Sequence, residues 1–151
     1  GSAFAEQMLP FARLIAQQLG SELMLISVPA VPESGRYRAV PGVVQSIRRQ
    51  AVKSMRKYLD AVAEELREDG VQVKIVVTGS YPARTIVEIG KREAVDMIMI
   101  TSQGRGGLDL LFMGSVAQQV VQLTDSPVFI FPINQELQAD VQGYPLSENK
   151  V

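Results

Sequence analysis

A glycine-rich stretch over residues 101–122 carries the residue types that could bind a phosphate group. Nine residues separate Gly104 from Gly114, and Gly114-Ser115 leads into a run with helical character. The free N–H groups at a helix start, together with the helix dipole, attract anions. Gly114 lets a phosphate approach the backbone closely. Ser115 could donate its hydroxyl and Arg105 could supply a positive charge, so this chemistry suits the phosphate chain of a nucleotide.

The general phosphate-binding motifs do not match this stretch. A Walker loop requires Gly-Lys-Ser/Thr, and Met113-Gly114-Ser115 has no lysine. A dinucleotide fingerprint requires a third glycine where Asp109 stands. The structural alternative is that residues 104–107 form a tight turn and Ser115 is an ordinary N-cap. The residues alone leave both interpretations open.

Apolar periodicity predicts the elements that must position this stretch. Apolar runs that end at Gly or Pro alternate with amphipathic segments, which predicts strands alternating with helices. The predicted order is helix 8–19, strand 22–28, loop 29–42, helix 47–69, strand 71–77, a helix from 82, strand 95–100, helix 115–123 and strand 127–131. This order predicts an α/β three-layer sandwich with an open parallel sheet and helices on both faces. Ligands bind such sheets beyond the carboxyl ends of the strands, where residues 101–115 lie.

Composition excludes several classes of function. The chain has 151 residues, enough for one domain, with a formal net charge of -1 and neither cysteine nor histidine. Disulfides, thiolate metal sites, a cysteine nucleophile and a Ser-His-Asp triad are therefore excluded. Because the chain has no basic excess, we expect no binding to nucleic acid. Because it has no long apolar run, we expect no membrane binding. We also expect a cytoplasmic location without a secretory leader.

One predicted helix carries a cluster of positive charges, which we interpret as a solvent-exposed surface without a specific function. The cations are Arg48, Arg49, Lys53, Arg56 and Lys57. We interpret them as a solvated face that is balanced by Glu64, Glu65 and Glu68 further along the same helix.

The spacing of the glycine-rich stretch resembles the signature of the universal stress protein family. That signature is glycine, two residues, glycine, nine residues, glycine and Ser/Thr, and here only the first glycine is replaced, by Thr101. Other similar segments are Gly79-Ser-Tyr-Pro82-Ala83, Asp96-Met-Ile-Met-Ile100, Gly114-Ser115-Val116-Ala117 and Ser126-Pro127-Val128. The resemblance covers residues 1–132 and implies a Rossmann-like fold similar to the adenine nucleotide alpha hydrolases. Residues 133–151 are mostly polar, which indicates a C-terminal tail or linker.

The resemblance implies a regulatory protein that binds ATP with Mg²⁺ and hydrolyses it slowly or not at all. The nucleotide-binding positions it implies are Val28, Ile100, Thr101, Gly104, Arg105, Gly114, Ser115 and Val116. The alternative is a member that binds no nucleotide and acts as a dimerising interaction module in the stress response. The Thr101 replacement favours this alternative, as does the absence of an aspartate that takes part in adenine recognition in the family.

The family's first strand, which ends in that aspartate, is not found in this sequence. Its strand order is 3-2-1-4-5, so the first strand is central, and each unpaired buried backbone group would cost about 1–3 kcal/mol. We consider three sources for the strand: residues ahead of Gly1, another segment or chain, or a second similar domain of a longer protein.

The last strand is the expected dimer interface. It would lie at the sheet edge, where open N–H and C=O groups invite pairing. The resemblance implies a homodimer through this strand, formed by Val128, Phe129, Ile130 and Phe131.

Overall fold

The computed structural model of the chain describes residues 3–29, 41–79, 81–102 and 113–132. The elements in chain order are α1 (Ala3–Glu6), α2 (Leu9–Leu19), β1 (Glu22–Ser27), α3 (Pro41–Glu68), β2 (Gln72–Val77), α4 (Pro82–Arg92), β3 (Ile98–Thr101), α5 (Ser115–Leu123) and β4 (Val128–Phe131). The sequence predicted each of these except the short helix α1. The predicted tail at 133–151 lies outside the described residues.

Local chemistry sets the ends of α2. Pro10 stands in its first turn, where a missing N–H costs nothing. The helix ends at Gly20, whose φ of 61° lies in the left-handed region that glycine adopts readily. The Ser21 N–H then donates to the Ala16 carbonyl at 2.9 Å, which closes the last turn.

The third strand begins later than the predicted residue 95. The Val95 N–H donates to the Gly90 carbonyl at 3.0 Å, and Ala94 adopts a φ of 51°. These residues therefore belong to the turn that ends α4, and β3 begins only at Ile98. The predicted bounds of 95–100 were wrong at both ends, because Thr101 also pairs within the strand, opposite Phe131.

The four strands form two parallel pairs. β1 pairs with β2 from Glu22 opposite Gln72 to Ser27 opposite Val77, and β3 pairs with β4. In the described ranges no strand lies hydrogen-bonded between these two pairs. The order 3-2-1-4-5 counts the family's first strand, so β1, β2, β3 and β4 correspond to its strands 2, 3, 4 and 5. Both observed pairings are therefore ones that this order requires, and the order across the whole sheet stays a prediction.

Each strand pair has its own apolar core. In the first, the buried residues are Ala16 of α2, Leu66 of α3 and Val71 before β2. In the second, Ala83 of α4, Ile98 of β3 and Val120 of α5 are buried. The four apolar residues of β1, Leu23 to Ile26, are only half-buried, although the sequence predicted a buried strand. The open edge of β1 explains this exposure, since no strand among the described residues covers it.

Helix α2 contacts both strand pairs, which we call the two halves of the molecule. Its Ala16 is buried in the first core, while the Phe11 ring stacks on Phe129 of β4 with centroids 5.0 Å apart. Arg13 of the same helix also forms an ion pair with Asp69, with 2.6 Å between Nη1 and Oδ2.

A second connection joins β2 to the end of α4. Lys74 of β2 forms a hydrogen-bonded ion pair with Glu93, and Arg92 also donates to Glu93 at 3.0 Å. Hydrogen bonding to Lys74 and then to Arg92 lowers the pKa of the Glu93 carboxyl below its ordinary value. The carboxylate therefore stays ionised over a wider pH range than usual, which preserves this link in mild acid.

The last strand has the features expected of a sheet edge. β4 pairs with β3, and no other described strand pairs with it. Phe129 and Phe131 both contact Phe11 of the same chain, at centroid distances of 5.0 and 6.3 Å, so α2 covers one face of the strand. Dimerisation through β4 stays a prediction. Within the described residues, no helix combines the length and apolar character needed to cross a membrane.

Candidate functional site

Helix α5 begins with backbone amides that have no hydrogen-bond partner among the described residues. Gly114 occupies the N-cap position with φ −59° and ψ 148°, and no side chain of the described residues caps the helix by a hydrogen bond. In the part of the chain that the structure describes, no hydrogen bond is formed by the N–H groups of Ser115, Val116 or Ala117. The first amide that bonds is that of Gln118, which donates to the Gly114 carbonyl at 3.0 Å. The helix start therefore presents three donors and the positive end of its dipole, which suits an oxyanion.

The structure tests one of the two roles considered for Ser115, that of N-cap. The helix begins at Ser115, as predicted, but the N-cap is Gly114. The interpretation of Ser115 as an ordinary N-cap is therefore wrong, because the residue already lies within the first helical turn. Its side chain is exposed. The hydroxyl is accordingly placed beside the free amides rather than used to satisfy them.

A backbone hydrogen bond fixes the start of α5 to the end of β3. The Gly114 N–H donates to the Ser102 carbonyl at 2.6 Å, and the Ser102 N–H donates to the Phe131 carbonyl at 2.9 Å. These bonds bring both ends of the glycine-rich stretch together beside the carboxyl end of the β3–β4 pair. The Gly114 amide is engaged here, so the donors left for a ligand begin at Ser115. Gly104 and Arg105 lie outside the described residues.

Ile100 and Thr101 take different positions at the end of β3. Ile100 packs against the second core, the cluster of Ala83, Ile98 and Val120. Because successive strand residues point to opposite faces, Thr101 faces the other side of the sheet, where it is buried with 8% of its surface exposed. Thr101 has a side chain where the family signature has glycine. This side chain is thus directed away from the second core, on which α5 packs.

Val28 lies at the carboxyl end of the other strand pair. It directly follows β1 and is half-buried. The Thr78 N–H donates to the Ser27 carbonyl at 3.2 Å, which continues the β1–β2 ladder up to this point. Val28 and Thr101 thus each stand at the carboxyl end of a parallel pair, the position at which open α/β sheets bind ligands.

Sequence reasoning missed two parts of this site. Ser102 was not singled out, although its backbone anchors Gly114, and Ala117 supplies a third free amide. A polar residue directly after an apolar strand was the available signal for Ser102. The third donor followed from helix geometry, because the first N–H groups of any helix lack partners within it.

The described residues offer no metal centre of their own. Within residues 3–29, 41–79, 81–102 and 113–132, no three His, Cys, Asp or Glu side chains lie close enough together to hold a metal ion.

The parallel strand pairs and the helices that cover them define an α/β protein of the Rossmann-like class. Comparison with known proteins makes this assignment specific. The model of the universal stress protein family matches residues 1–132, and the chain belongs to this family.

Known relatives agree in sequence and in fold. Universal stress protein YxiE of Bacillus subtilis is 29% identical over 136 residues, which span 86% of this chain and 92% of that protein. The structure of UspA from Lactobacillus plantarum superposes with a TM-score of 0.76 at 17% identity, over 87% of this chain and 91% of that one. An Archaeoglobus fulgidus universal stress protein solved in complex with dAMP superposes with a TM-score of 0.52 at 19% identity, over 86% of this chain and 89% of that one. These likenesses confirm the predicted fold class.

Proposed function

We infer that this chain is a regulatory protein of the stress response that binds ATP with Mg²⁺ at the start of α5. The observation that carries the proposal is that the amides of Ser115, Val116 and Ala117 have no partner within the described ranges. The bond from Gly114 to Ser102 holds them beside the end of β3. The dAMP complex of a family member supports an adenine nucleotide as the ligand class.

The proposed binding mode assigns a separate task to each half of the molecule. Phosphate oxygens accept hydrogen bonds from the α5 amides and from the exposed hydroxyl of Ser115, and Arg105 adds a positive charge. Val28, at the end of β1, packs against the adenine ring. Ile100 and Thr101 border the ribose and the first phosphate.

We expect this binding to be accompanied by little or no hydrolysis. None of the proposed nucleotide-binding residues is a His, Asp or Glu that could act as a general base toward water. Mg²⁺ would offset the charge of the phosphates. The protein would then respond to the presence of the nucleotide rather than consume it.

Isothermal titration of ATP with Mg²⁺, together with the Gly114→Val variant, tests the proposal. The wild-type chain should bind with a Kd below about 0.1 mM. Gly114→Val should weaken binding at least about tenfold, because a branched side chain then stands beside the free amides. The φ of −59° at Gly114 is open to valine, so the substitution should not strain the backbone.

The control is Gly114→Ala, which adds a single methyl group at the same position and should lose less affinity. The free energy of unfolding of both variants, measured in urea, establishes that they remain folded. Equal ATP affinity in wild type and Gly114→Val would place the nucleotide elsewhere. Failure of the wild type to bind ATP would favour the alternative, a dimerising interaction module without nucleotide.

A further inference from the structure

Helix α3 carries a strongly basic groove that the nucleotide proposal does not use. The groove has a volume of about 700 Å³, and its charged lining consists of Arg48, Arg49, Lys53, Arg56 and Lys57 with the single carboxylate of Asp60. Val52 lies among the cations and Gly79, just after β2, completes the lining. We name this surface the α3 groove.

Most of the positive charge in the α3 groove is unpaired. Asp60 is already engaged by Arg56, with 3.2 Å between Oδ1 and Nε. In the described part of the chain, Arg48, Lys53 and Lys57 form no ion pair. The groove therefore presents uncompensated cations that an anionic partner could neutralise.

The helix's own glutamates are too distant to balance these cations. Glu64 lies seven residues beyond Lys57, which is about 10 Å along a helix. At physiological salt the screening length is about 8 Å, so charges at this separation hardly compensate each other in solvent. One of these glutamates is in addition drawn to Arg67, with 3.5 Å between Glu64 Oε2 and Arg67 Nη1. The basic residues thus cluster in the first part of the helix and the glutamates near its end.

The end of β2 fixes one side of the α3 groove. A Cβ built on Gly79 would lie 2.9 Å from Cγ and 3.0 Å from Cδ of Arg48, closer than real contacts allow. The aliphatic part of Arg48 therefore lies directly over the Gly79 backbone. Glycine at this position permits the close approach, which holds one of the cations at the strand end.

The spacing of the cations fits an extended peptide. Arg49, Lys53 and Lys57 follow one another at intervals of four residues on one helix face, about 6 Å apart along the axis. Alternate side chains of an extended strand are about 6.7 Å apart and point to the same side. Carboxylates at every second position of such a strand could each meet one cation of this row.

We propose that the α3 groove binds an extended acidic segment of a protein partner. Val52 gives the groove an apolar contact between its cations, as a peptide side chain requires. Among the described residues, no aromatic side chain lines the groove for stacking of bases. The row spans only three cations and ends toward the glutamates near the end of α3, which repel a longer polyanion such as nucleic acid.

Fluorescence anisotropy with a labelled peptide of alternating Glu and Ser, added to the full chain at low salt, tests the proposal. The double variant Lys53→Gln/Lys57→Gln should weaken peptide binding about tenfold, because two exposed ion pairs are lost. The matched control is Arg84→Gln/Lys91→Gln, which removes the same charge from exposed positions on α4 and should leave the affinity within about twofold.

Two further measurements complete the test. A single-stranded oligonucleotide of equal charge should bind more weakly than the peptide, and ATP affinity should be unchanged in Lys53→Gln/Lys57→Gln. Equal weakening of peptide binding in the two double variants would overturn the proposal, as would tighter binding of the oligonucleotide. Loss of ATP binding in the α3 variant would instead place the nucleotide in this groove and contradict the site proposed at α5.

Discussion

Ala94 occupies a backbone conformation that suits glycine better than alanine. Its φ of 51° lies in the left-handed region, where the Cβ of an L-residue crowds the following carbonyl oxygen. The conformation is held by the Ala94 N–H bond to the Lys91 carbonyl at 3.2 Å and by the Val95 N–H bond to Gly90. These bonds end α4 before the chain enters β3.

At the residue scale, Ala94→Gly should therefore stabilise the protein. We expect a gain of about 0.5–1 kcal/mol, since relief of strain exceeds the entropy that glycine adds to the unfolded chain. Urea unfolding at equilibrium measures it. Ala61→Gly, an exposed position within α3, is the control and should lose about 0.5–1 kcal/mol. A loss of stability in both variants would show that residue 94 is not strained.

At the element scale, α4 approaches β3 closely through Gly90. A Cβ at Gly90 would lie 3.3 Å from Cγ2 of Val95 and 3.5 Å from Cδ1 of Ile98. Ile98 belongs to the second core, on which the start of α5 also rests through Val116. The helix-to-strand distance set at Gly90 therefore contributes to where the free amides of α5 lie.

Gly90→Val should push α4 away from β3. We expect a loss of about 1–3 kcal/mol in the free energy of unfolding, because an overpacked core shifts its neighbours. Thermal or urea denaturation provides the measurement. Gly42→Val offers the matched substitution, because Gly42 is a helical glycine with nothing within 4 Å of its Cβ, and it should change stability by less than about 0.5 kcal/mol. If the two variants lost equal stability, packing at Gly90 would not be the cause.

At the scale of the whole molecule, the two cores depend on a small number of connections. Among the described residues these include Phe11 of α2 against Phe129 and Phe131, and the Lys74–Glu93 ion pair. Because β1 and β3 are not paired with each other in the described ranges, we expect these contacts to couple the unfolding of the two cores.

Phe11→Ala should weaken this coupling. We expect a loss of about 2–4 kcal/mol and a lower urea m-value, since one half could then unfold before the other. Leu14→Ala, on the same helix but 52% exposed, should leave the m-value unchanged. An unaltered m-value in Phe11→Ala would mean that other contacts hold the halves together.

The sequence by itself determined the order of the elements and where most of them begin and end. Apolar periodicity, Gly20 after α2 and Pro82 at the start of α4 act over a few residues, so their effects can be predicted locally. The start of α5 at Ser115 was predicted for the same reason, and the spacing of Gly104 and Gly114 indicated the family.

Only the tertiary structure decided how these elements meet. The bond from Gly114 to Ser102, the opposite faces taken by Ile100 and Thr101, and the late start of β3 depend on packing between elements. The same holds for the α3 groove. Its charges were visible in the sequence, but the sequence could not show that Arg48, Lys53 and Lys57 form no ion pair within the described residues. Contacts between residues distant along the chain arise from the mutual packing of whole elements, and no local pattern specifies them.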